Sequence, residues 1–93
     1  MKHELKCLPD FFVPIMLGYK NFEYRKNDRG YKNGDLLILK EWNGEVYSGR
    51  EIYARVTYIL YPEGIPMPPT FCIMSISIER IVREYDFIYE EVV

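Results

Sequence analysis

Histidine and tryptophan occur once each and cysteine only twice in this chain of 93 residues, which narrows its chemistry before any motif is considered. Cys7 and Cys72 lie far apart, form no C-x-x-C pair, and have only His3 as a companion nitrogen ligand. A disulfide framework or a zinc site is therefore not expected. Two free thiols in apolar surroundings fit a reducing compartment. No apolar run reaches the roughly 18 residues of a membrane-spanning helix, and the opening MKHELKCLPD lacks the apolar stretch of a signal peptide. Strong charge of either sign is missing too: the formal net charge is −2 and the pI about 5.4, so no global field draws the chain to nucleic acid. There is no internal repeat and no low-complexity segment. The expectation is a soluble cytoplasmic protein of one domain (1–93), with no metal, cofactor or membrane partner.

What the chain does have is aromatic side chains and a patch of local charge. Nine Tyr and five Phe are a heavy load for this length, and Tyr suits both the rim of a small core and a binding surface. Tyr19 to Asn33 holds five basic and two acidic residues, whereas Glu79 to Val93 holds five acidic and two basic. A basic patch inside an acidic chain points to a local anion site.

Hydrophobic periodicity gives a mostly β (α+β) domain of five to six strands with one short helix near the N-terminus. Residues 2 to 8 alternate, with His3, Leu5 and Cys7 on one face. Asp10 then fits an N-cap, Phe11, Phe12, Ile15 and Met16 repeat at helical spacing, and Gly18 is a natural C′ residue; Pro14 inside the helix forfeits one backbone hydrogen bond. Residues 20 to 26 alternate again. Phe22 and Tyr24 are assigned to the core, and Glu23 and Arg25 to the opposite, polar face. Asp35 to Trp42 is apolar on both faces and so central; Asn43-Gly44 is a hairpin turn. Arg50 to Tyr61 is the longest strand, with Ile52, Ala54, Val56, Tyr58 and Leu60 on one face. The proline-rich Pro62 to Pro69 is a stiff loop. Phe71 to Glu79 follows as a strand with Met74, Ile76 and Ile78 inward, and residues 80–93 form an extended C-terminal extension. So many strands in a short chain are best protected by curling into a small barrel.

The chemistry concentrates in Gly18 to Asp35, GYKNFEYRKNDRGYKNGD. Lys20, Glu23 and Arg25 form a candidate ligand-facing cleft, with Lys26 and Arg29, and more weakly Lys32, as phosphate contacts. Glu23 can brace the cations or accept hydrogen bonds from a base's amino or imino groups. Tyr19 and Tyr31, near glycines, are the leading stacking candidates, ahead of Tyr24 and Trp42. Phosphate capture, edge reading and stacking together describe a single-stranded RNA or nucleotide site.

These residues resemble the ASCH domains of the PUA-like superfamily, whose G-x-K-x-x-E-x-R run after a short helix is matched by Gly18, Lys20, Glu23 and Arg25, followed by Gly34-Asp35. The fuller pattern, with His3–Lys6, Arg25–Arg29 and Gly49–Ile52, is similar to a small uncharacterised bacterial and phage family within that group. The resemblance covers roughly residues 3 to 78. It implies a PUA-like pseudo-barrel with a cleft lined by Lys20, Glu23 and Arg25, and a role in binding RNA, a nucleotide or a modified base. Relatives include an amidohydrolase acting on N4-acetylcytidine, which carries Thr where this chain has Glu23. Two alternatives stay open: a hydrolase of a modified nucleoside using Lys20 and Glu23, and a protein-interaction module using the acidic tail.

Overall fold

A computed structural model describes residues 1–83 of the chain. Its elements are β1 (Lys2–Cys7), α1 (Pro9–Met16), β2 (Phe22–Lys26), β3 (Leu36–Trp42), β4 (Tyr47–Leu60) and β5 (Phe71–Val82). The strands form one sheet in the order β1-β3-β4-β5-β2, antiparallel except for the parallel pair of β1 and β3. The sheet curls into a half-barrel. Its two edges, β1 and β2, share no ladder but come close enough for side chains of the β2 region to bond β1 carbonyls. Among the described residues no helix is long and apolar enough to cross a membrane.

The concave face holds the core. Leu5 and Cys7 of β1, Leu37 and Leu39 of β3, Ile52, Ala54 and Val56 of β4, and Cys72, Met74 and Ile76 of β5 meet there. Phe12 and Ile15 of α1 close one end. They lie three residues apart on one helix face, so a two-turn helix needs no intrinsic stability beyond that burial. The alternation of β1 holds: His3, Leu5 and Cys7 are all buried. Ile38 is buried on the other side of β3, as expected of a strand apolar on both faces.

Three assignments change. The helix starts earlier, with Leu8 as N-cap, Pro9 in its first turn and no side-chain cap; Asp10 lies inside that turn. Proline lacks only an N–H that the first turn leaves unused, so it opens a helix readily. In β4 the register slips between Val56 and Tyr58. The extra residue exchanges the two faces, so Ile59 is buried and Tyr58 is 61% exposed, the reverse of simple alternation. A second slip beside Ala54 accompanies the partial exposure of Ile78, expected inward. β5 runs on through Arg80–Val82, which pair with Glu51–Tyr53; residues 84–93 of the expected C-terminal extension lie outside the described residues.

The β3–β4 hairpin turns at Asn43-Gly44, where Asn43 Oδ1 accepts from the N–H groups of Glu45 and Val46. The bulge below it, where Lys40 opposes Glu51 and Trp42 opposes Tyr47, brings Glu41, Ser48 and Arg50 together. Arg50 donates to both oxygens of buried Glu41 (2.6 and 2.7 Å), Ser48 donates to one of them (2.7 Å), and the guanidinium lies 5.4 Å from the Phe12 ring. This polar cluster ties the hairpin to the helix.

Candidate functional site

The segment leading into β2 is shaped by the end of α1. Gly18 takes φ +82°, a left-handed conformation that favours glycine. The N–H of Gly18 bonds the Ile15 carbonyl (3.0 Å) and that of Tyr19 the Pro14 carbonyl (2.9 Å), the Schellman pattern. Lys20 N–H joins the same Pro14 oxygen at 3.1 Å. The chain reverses there and delivers Lys20 to the mouth of β2.

Glu23 is the hub of the site. It is only 3% exposed, on the inner face of β2. Lys20 Nζ donates to Oε1 at 3.0 Å and Arg25 Nε to Oε2 at 2.7 Å. Lys20 also donates to the Phe22 carbonyl (2.8 Å) and lies 4.9 Å from the Phe22 ring and 5.5 Å from that of Phe11. A buried carboxylate is tolerated when charged donors satisfy it, and here two do.

Phe22 and Tyr24 are the reverse of expectation. They are 43% and 47% exposed, while Glu23 between them is buried. The inner side of β2 meets the open seam between the sheet edges, where Lys20 and Arg25 make a polar floor, so the carboxylate turns in and the aromatics turn out. Tyr31 is also corrected as a stacking candidate. It is 2% exposed and packs edge-on against His3 at 4.9 Å, so it presents no free ring face. His3 in turn lies 2.8 Å from Asp35 Oδ2, a buried pair that joins β1 to the start of β3. Tyr19 is exposed but lies outside the cleft lining.

The seam opens into a cleft of about 510 Å³, within the size range of small-molecule sites. Phe11, Phe22, Tyr24 and Phe71 wall it, with Tyr24 and Phe71 stacked at 5.0 Å; Lys20, Glu23, Arg25 and Cys7 line its polar part. No residue of Pro62–Pro69 enters it. The structure thus brings Lys20, Glu23, Arg25 and Lys26 together in one cleft. Arg29 sits on an adjoining surface, where its Nη1 donates to the Glu4 carbonyl at 3.0 Å. Burial, reinforced by the nearby Glu23 carboxylate, pushes the Cys7 thiol up to about 12, so it is protonated at neutral pH and no nucleophile. Among the described residues no group of three or more His, Cys, Asp or Glu could hold a metal ion.

Phe11 and Phe71 join the site without having stood out in the sequence. Phe71 carries a usable signal, because it is out of phase with the buried Cys72 and Met74. Phe11 adjoins the Phe12–Ile15 pair that faces the core and so turns away from it.

Fold and site together define a small mostly-β domain with an aromatic-walled, charge-floored cleft at the seam of a half-barrel. Residues 2–76 match the family described as "Domain of unknown function (DUF3850)", and the chain belongs to that family. It is also 46% identical over 55 residues to a protein of Escherichia phage P2 described as "Uncharacterized 12.9 kDa protein in GpA 3′region". The matched segment covers 59% of this chain and half the length of the phage protein.

Proposed function

We propose that the seam cleft binds a nucleobase of a single-stranded RNA or a nucleotide. The observation that carries this reading is the Glu23 carboxylate, fixed by Lys20 and Arg25 at the base of exposed aromatic rings. A base stacks on an aromatic face with little regard to sequence. Its amino or imino edge needs an acceptor, and each Glu23 oxygen retains acceptor capacity beyond the one bond it receives. Among the described residues, Arg25 keeps uncommitted N–H donors for a base carbonyl. The resemblance of Gly18, Lys20, Glu23 and Arg25 to the ASCH motif supports the same class of ligand, and with it a PUA-like ancestry of the half-barrel.

The test is titration of the purified protein with fluorescently labelled single-stranded RNA, a duplex of the same sequence, and the four nucleosides. The expected result is binding to single strands and nucleosides, absent for the duplex, with Glu23→Gln changing which base is preferred. Absence of affinity for every RNA and nucleoside, or affinity unaltered by Phe22→Ala together with Glu23→Gln, would overturn the reading.

A further inference from the structure

A second basin of about 540 Å³ adjoins the cleft on the β1 side, and Lys6 and Arg25 line both. Among the described residues Arg29 and Lys40 complete its basic lining, with Glu4 as its one carboxylate. These four cations are not equivalent. Lys40 is engaged by Glu4 at 2.6 Å and Glu51 at 3.9 Å. Arg25 shares Glu23 with Lys20. Arg29 and Lys6 differ from both, because each is held by a neutral group. Arg29 donates to the Glu4 backbone carbonyl, and the Lys6 ammonium lies 4.4 Å from the centre of the Trp42 ring. Neither has a carboxylate partner among the described residues.

A cation held by a carboxylate is positioned and neutralised at once. A cation held by a carbonyl or a ring is positioned with its charge intact. The usual exposed Lys or Arg without a carboxylate is neither, since it moves freely in water. Two fixed, uncancelled charges beside the Arg25 fork therefore form a pre-organised anion site, in which little side-chain freedom is lost on binding. The dimensions of the basin admit a phosphate group with its sugar, and the shared wall places it next to the base cleft.

We infer that this basin is the phosphate subsite of the cleft, so that the ligand is a nucleotide or a nucleotide within a strand rather than a free nucleoside. The inference rests on the base-binding reading above and adds the group that would carry most of the affinity and all of its salt dependence. Arg25 then has a double position: Glu23 and the base on one side, the phosphate on the other.

The experiment compares affinities of the full chain for adenosine, cytidine, guanosine and uridine, for their 3′- and 5′-monophosphates, and for the corresponding dinucleoside phosphates, by calorimetry at low salt. Phosphorylated forms are expected to bind at least about tenfold tighter than the nucleosides, as befits new charge-assisted hydrogen bonds. Raised salt is expected to remove most of that gain. Arg29→Gln, outside the cleft lining, is expected to reduce the gain severalfold while leaving nucleoside affinity unchanged; Lys6→Gln, at the shared wall, is expected to reduce the gain, read as the ratio of phosphorylated to nucleoside affinity in the same variant, severalfold. Tightening by a monophosphate points to a free nucleotide, and tightening only by dinucleoside phosphates points to a strand; both support the subsite. Arg29 also supports the β1 edge, so Lys6→Gln, at a side chain whose ammonium makes no hydrogen bond among the described residues, is the deciding variant for the gain. Equal affinity for nucleosides and phosphorylated forms would overturn the subsite and leave the base cleft standing. A gain untouched by Lys6→Gln would overturn it likewise. No binding by any of these compounds would overturn the base reading, and the subsite with it.

Discussion

Arg25 Nη2 donates to the backbone carbonyl of Lys6 at 2.8 Å, across the gap between two edge strands that share no ladder. Its Nε meanwhile holds Glu23. Arg29 repeats the arrangement one step along β1, at the Glu4 carbonyl. Two guanidinium groups thus satisfy the outward carbonyls of β1 that a neighbouring strand would otherwise take. They blunt an exposed sheet edge while leaving a cleft beside it.

Removing the first of these groups is expected to weaken the fold as well as the site. Arg25→Ala leaves Glu23 buried with Lys20 as its only charged partner among the described residues, and is expected to cost about 2–4 kcal/mol in urea unfolding. Arg25→Lys is expected to recover less than half of that, because an ammonium on a single stem cannot bond both Glu23 and Lys6 in the planar geometry of the fork. A change below about 0.5 kcal/mol in Arg25→Ala would show that the seam is held by other contacts.

The aromatic residues of the cleft are expected to separate cleanly from those of the core. Phe22→Ala removes a ring that is partly in solvent, so stability is expected to fall by about 1 kcal/mol or less, while affinity for a base falls about tenfold. Phe12→Ala removes a fully buried ring next in sequence to the cleft residue Phe11. It is expected to cost about 3–5 kcal/mol. Thermal unfolding and nucleotide titration of both variants check the contrast.

Acid is expected to destabilise the protein through two buried carboxylates. The hydrogen bond from Arg50, opposed by burial and aided by Ser48, holds Glu41 below its ordinary 4.5. Burial acts to raise Asp35, but bonds from His3, the Lys32 N–H and the Met1 amino group outweigh it and hold the carboxyl below 3.8. Depressed folded-state values mean stabilisation that is full above the unfolded values and is lost as pH falls through the folded ones. Stability is therefore expected to be flat with respect to these groups near neutrality and to drop below about pH 4.5. Glu41→Gln is expected to lose about 3 kcal/mol at neutral pH and to show a shallower acid limb, measured by urea unfolding across pH.

Both thiols are expected to be silent in the folded state. Cys7 and Cys72 are buried, and desolvation raises both. Alkylation by iodoacetamide at neutral pH is expected to be at least about a hundredfold slower in the native protein than in urea, with mass spectrometry following each cysteine. Rapid native labelling of Cys7 would mean that the cleft opens more deeply than its geometry implies.

The parts of this fold that are legible in the sequence are those set by neighbours along the chain. Gly18 ends the helix because the turn there requires a left-handed φ, and Asn43-Gly44 turns because the Asn43 side chain caps that turn. The alternation of His3, Leu5 and Cys7 is equally local. The orientation of β2 is not. Phe22 and Tyr24 against Glu23 and Arg25 is a pattern that reads equally well in either sense, and burial of Glu23 depends on Lys20 delivered by the helix end and on the seam beside β1. Tyr31 lies in a loop with no period; it is buried because Asn27 Oδ1 accepts its N–H and His3 meets its ring. The register slips of β4 leave no signature in hydropathy, so the exposed Tyr58 and the buried Ile59 emerge only in three dimensions.

The strand order has one more consequence, in time rather than in space. β2 carries Glu23 and Arg25, yet its only ladder among the described residues is with β5, the last described strand. A nascent chain therefore synthesises Glu23 and Arg25 early and cannot seat them until Phe71 to Ser75 have left the ribosome. Until then β2 has no ladder, Glu23 has no enclosure and the cleft has no far wall. Closure of the cleft arrives with the last described strand, so a chain cut before Phe71 keeps Lys20, Glu23 and Arg25 and lacks the cleft.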